Sequence, residues 1–146
     1  MQMENKGQDW AALILRLSLV AILLPAGLSK TFGIAVWWAD FGGYATSVQG
    51  MIAMGSSVAP VWLAMAMAYA LPIVHLYNGV ALLLGYAKKL TSWTVLFDTF
   101  SLVAFAFLSK GANFEWFFNP HTWFFVSAIV LLLLPNYGKW SLGKKM

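Results

Sequence analysis

Cysteine is absent from this chain of 146 residues. Its absence excludes a thiol–disulfide relay, a Cys-ligated iron–sulfur cluster and haem attachment through C-x-x-C-H. Charge is scarce too, at 10% of residues against roughly 25% in soluble domains. Histidine occurs twice. His75 is expected at mid-membrane and His121 at the outer surface, so one haem cannot bridge them. His and carboxylate residues do not cluster as metal ligands do. Phosphate-cradling glycine loops and the serine elbow of hydrolases are missing as well. No covalent cofactor is expected, and nothing in the chain can hold electrons.

What remains is apolar. Hydrophobic residues make up 61% of the chain, in continuous runs much longer than the roughly ten residues of a barrel strand. The expected fold is therefore an all-α membrane protein, a four-transmembrane-helix bundle forming a single domain over 1–146. The spans are expected at about 10–28, 61–85, 91–109 and 118–135. The first reads as retained, because Glu4 and Asp9 stand beside Lys6, Arg16 interrupts the apolar run and no A-x-A site follows.

A formal charge of +4 does not signal nucleic acid, since the lysines sit singly or in pairs beside apolar runs, as juxtamembrane anchors do. Lys6, Lys88, Lys89, Lys139, Lys144 and Lys145 fall on one side of the bundle; Lys30 and Lys110 fall on the other. The positive-inside rule then puts both termini in the cytoplasm of a prokaryotic cell. The outer segment 31–58 mixes apolar, aromatic, Gly and Ser residues. It is too long for a structureless loop, so an interfacial helix is expected near 34–49. The second outer loop, NFEWFFNPHTWFF, is dense in aromatics and reads as a belt at headgroup depth or as a docking surface.

Within the spans, Arg16, His75, Asn78 and Asp98 stand out, because an ionisable side chain in lipid is costly unless it faces inward and pairs. At about 1.5 Å per residue, Arg16 and Asp98 are each expected about 9–10 Å from the cytoplasmic edge, with Asn78 level and His75 one turn deeper. Arg16 and Asp98 are thus expected to form an ion pair inside the bundle. The cluster reads either as a ligand or proton site or as structural glue. His75 is the member able to exchange a proton near neutral pH.

Three stretches carry a family resemblance. LRLSLVAILLPAGLSKTFG, with Gly27 and Lys30 at its outer end, resembles the opening of DoxX and DoxD-type membrane proteins. PIVHLYNGVALLLGY resembles their second span, except that His75 replaces the usual acidic residue four before Gly79. NPHTWFFVSAIVLLLLPNYGKWSL is similar to their closing span. The resemblance implies a four-helix bundle and, through the DoxD subunit of thiosulfate:quinone oxidoreductase, a role beside the quinone pool. On that reading the chain is an accessory subunit of a respiratory oxidoreductase, oxidising thiosulfate or another sulfur compound in a larger complex. His75 then relays a proton, Arg16 and Asn78 orient a quinone oxygen and Asp98 positions Arg16. The alternative is a non-catalytic structural or assembly subunit. Expected partners are the lipid bilayer and other membrane or redox subunits, with a homo-oligomer also allowed.

Overall fold

The structure, a computed structural model, describes residues 6–110 and 120–134. Five helices account for most of them: α1 (Lys6–Phe32), α2 (Tyr44–Gly55), α3 (Val61–Leu84), α4 (Lys88–Lys110) and α5 (Pro120–Leu133). Among the described residues there is no strand, only an isolated bridge between Val36 and Ala39. Leu19, Val20 and Leu23 of α1, Leu82 of α3, Val95 of α4 and Ala128 and Leu131 of α5 form one buried core. Four helices therefore share a centre, and α2 packs outside it, chiefly on α3.

The tightest joint lies between α1 and α3. A Cβ on Gly27 would fall 2.5 Å from the backbone of Leu76, and one on Gly79 would fall 2.6 Å from the Cα of Leu24. Only glycine permits that approach, as small residues do wherever membrane helices touch backbone to backbone. The two contacts are reciprocal: as the residue number rises along α1 it falls along α3, so the helices run antiparallel. Thr31 extends the seam by donating its hydroxyl to the carbonyl of Pro72, 3.1 Å away.

Helix α3 ends at Gly85, whose φ of 63° is left-handed. The Gly85 and Tyr86 amides donate back to the carbonyls of Leu82 and Ala81, a Schellman closure that turns the chain into α4. At that same turn, the Lys88 ammonium donates to the carbonyl of Leu132, in the last turn of α5. A cation at a helix C-terminus is favourably placed, and here it fixes α4 and α5 antiparallel.

Between α1 and α2 the structure departs from expectation. Residues 33–43 are not helical; they form a compact loop closed at its neck, and the helix starts only at Tyr44. Gly33, Gly42 and Gly43 all have positive φ, which keeps 33–43 out of the helix and moves the start of the one expected near 34–49 to Tyr44. Ser29 ties the loop shut. Its carbonyl accepts from the amides of Gly33 and Gly43, and its hydroxyl accepts from the amide of Phe41 at 2.6 Å.

By length and apolarity, α1 and α3 can cross a bilayer. Helix α4, with 23 residues, is long enough by rise alone. Helix α5 has 14 residues in the described part, about 21 Å against a hydrocarbon core of roughly 30 Å. The edges expected for the fourth span, 118 and 135, and most of the aromatic outer loop lie outside the described residues.

Candidate functional site

Asp98 sits on the α4 face that also carries Thr91, Thr94, Val95 and Ser101, turned toward α3 by a 3–4 spacing. Its carboxylate is fully buried. Asn78 of α3 donates from Nδ2 to Asp98 Oδ2 at 3.0 Å, and Thr94 donates its hydroxyl to Asn78 Oδ1 at 2.7 Å. The Asn78 amide is therefore satisfied at both ends, which assigns its orientation. Thr91 continues the line, donating to the carbonyl of Tyr86 at 2.9 Å.

His75, one turn before Asn78, completes the cluster. Its Nδ1 lies 2.7 Å from the carbonyl of Leu71 and 3.2 Å from Asp98 Oδ1. A carbonyl oxygen offers only lone pairs, so at 2.7 Å the Nδ1 must carry the hydrogen and donate it to Leu71. Asp98 Oδ1 stands beside that N–H as a charged neighbour at 3.2 Å but accepts no hydrogen bond from it. In the neutral ring, Nε2 then holds the lone pair and is the basic nitrogen. The arrangement couples a proton-accepting nitrogen to a buried carboxylate able to stabilise the imidazolium.

Of the four residues expected in one layer, the structure brings together His75, Asn78 and Asp98 and leaves Arg16 elsewhere. Arg16 is buried on α1, but the basic side chain beside the Asp98 carboxylate is His75, 3.2 Å away. The expected Arg16–Asp98 pair is thereby corrected, and helix stagger is the reason. Leu24 is level with Gly79, so Arg16, eight residues earlier, lies about 12 Å further toward the turn between α3 and α4. Counting inward from each helix start misplaced it, because α1 begins well before the level at which α3 ends and α4 begins.

Lys30, at the outer end of α1, is a second cation to be placed relative to the cluster. Its ammonium is electrostatically coupled to both Asp98 and His75 and lies over the Phe41 ring, 4.8 Å from the centroid. Lys30 was read only as an outer anchor and as part of a short motif. The missed signal is its spacing: Lys30 is three residues after Gly27, on the α1 face that meets α3. No group of three or more His, Cys, Asp or Glu residues that could hold a metal occurs among the described residues.

The DoxX family profile matches residues 11–110, well over half of the chain. The chain belongs to the DoxX family. Neither a curated protein nor a solved structure matches it. Family membership and the apolar helices together mark this DoxX chain as an integral membrane protein. The matched segment runs from α1 to the end of α4. It contains Lys30, His75, Asn78 and Asp98, while α5 lies beyond it.

Proposed function

We propose that this DoxX protein is a membrane subunit that supports quinone-linked redox chemistry, with His75 as its proton-exchanging group. The observation that carries this reading is the buried cluster in which the Leu71 carbonyl fixes the His75 tautomer, Asp98 lies beside the ring, Asn78 holds Asp98 and Thr94 holds Asn78. A group that exchanges protons needs a defined tautomer and a partner for the charge it acquires. Reduction of a quinone takes up two electrons and two protons. The electrons come from a partner subunit that oxidises a sulfur compound or another donor. His75 Nε2 gives up or receives one of the protons, Asp98 steadies the imidazolium, and Asn78 with Lys30 orients the polar head group.

The membrane arrangement belongs to the same proposal. All four core helices cross the bilayer, with both termini in the cytoplasm of a prokaryotic cell, as the lysine distribution favours. Lys30 then marks the outer edge.

The test is quinone-linked turnover by the assembled complex in native membranes, comparing wild type with H75A and H75Q. General acid–base catalysis contributes typically 10²–10⁴-fold, so turnover per assembled complex should fall by at least tenfold in both variants. Unchanged turnover would remove His75 from the chemistry. A second reading, an assembly subunit without chemistry, draws on the outward α4 stripe of Trp93, Phe97 and Phe100. It predicts that alterations of the stripe reduce recovery of the complex, while H75A leaves turnover per complex intact.

A further inference from the structure

The loop between α1 and α2 folds back along α1 rather than leading away from it. Its tip is a tight turn, Val36–Trp37–Trp38–Ala39, closed by reciprocal bonds of 3.0 and 2.9 Å between the backbones of Val36 and Ala39. Trp37 has a φ of 51°, at the first central position of the turn, where glycine is the usual occupant. A bulky residue there is strained, and such strain persists only where the surroundings repay it. Yet Trp37 is 83% exposed, so none of the described residues covers it. Trp38 is exposed as well, and its indole nitrogen reaches the carbonyl of Ala21 at 3.5 Å.

Ala21 lies nine residues before Lys30, about 13 Å back along the helix. It belongs to the outward α1 stripe of Ile14, Leu17 and Ala21. The loop's charges keep to its neck: Lys30 and Asp40 bracket a segment, 31–39, without a charged side chain. Val36 and Ala39 satisfy each other's amides and carbonyls, which lowers the cost of bringing the turn to the apolar side of the headgroups. Tryptophan is also the residue enriched at the boundary between headgroups and acyl chains.

We infer that the 36–39 turn is a re-entrant wedge, its Trp37 and Trp38 rings buried among the lipids of the outer leaflet and continuous with the lipid-facing stripe of α1. Ser29 and the crossing of Gly33 with Gly43 hold the neck at the headgroup level. The occupant of this surface is the bilayer itself.

Because the chain has no cysteine, a single introduced thiol can be labelled cleanly. The experiment places a nitroxide at Trp37→Cys and, independently, at Ala35→Cys, an exposed position whose change costs little packing. The full chain is reconstituted in phosphatidylcholine liposomes. Collisions with oxygen and with a water-soluble nickel chelate are then read by power-saturation spectroscopy. Leu17→Cys supplies the lipid reference and Lys89→Cys the aqueous one. Both loop labels should match Leu17, oxygen-accessible and several-fold less accessible to nickel than Lys89. Nickel accessibility equal to that of Lys89 overturns the inference. So does shielding from both reagents, which would instead place a second copy of the chain over the turn.

Discussion

Gly27 of α1 lies against the backbone of Leu76, the residue that follows His75, so the α1–α3 seam and the polar cluster are built at one level. Gly79 repeats the contact one turn further along α3, against Leu24. Alanine at either glycine forces the helices apart. Overpacking of this kind costs about 1–3 kcal/mol, and thermal unfolding in detergent should show it for both G27A and G79A. Gly50 is the control. A Cβ there meets nothing within 4 Å, so G50A within α2 should stabilise by about 0.5–1 kcal/mol.

The cluster should behave as a network. Changing Thr94 to Val removes the donor to Asn78 Oδ1 while keeping the side chain's shape. A buried acceptor left unsatisfied costs about 1–3 kcal/mol, readable as a lowered midpoint in chemical unfolding. T94S, which keeps the hydroxyl, should lose much less.

Coupling energies separate the two candidate partners of Asp98. In a double-mutant cycle on stability, H75A and D98A should be non-additive by about 0.5–3 kcal/mol, as for residues in one network. R16A and D98A should add to within about 0.5 kcal/mol, as for distant sites. Strong coupling between Arg16 and Asp98 would reinstate the ion pair that helix stagger sets aside.

At the cytoplasmic turn of the proposed topology, Gly85 has a φ of 63° and closes α3. G85A places a Cβ in the left-handed region and should cost about 1–2 kcal/mol. G85N, which tolerates that conformation better, should recover part of the loss in the same unfolding assay.

Apolar run length made the long helices legible in the sequence, and burial cost singled out His75, Asn78 and Asp98 as residues that would turn inward. Pairing was not legible in the same way. Depth counted from each helix start ignores stagger, and the register of α1 on α3 is set by Gly27 and Gly79, whose close contacts are tertiary facts. Lys30 was hidden for a related reason: a lysine at a span edge looks like an anchor unless its angular position beside Gly27 is considered. A helix between the first two spans was legible but its start was not, because the aromatic, apolar composition of 34–43 suits an interfacial helix equally well. Three glycines with positive φ and the fastening by Ser29 decided otherwise.

The central claim is a proton-exchanging His75 with a fixed ring state beside Asp98. Nitrogen-15 NMR of histidine-labelled protein in liposomes tests it most directly, with H121Q leaving His75 as the only histidine. Nδ1 should appear protonated, and the Nε2 resonance should shift when a short-chain quinone is added. An unprotonated Nδ1, or an Nε2 resonance unmoved at saturating quinone, would contradict the account.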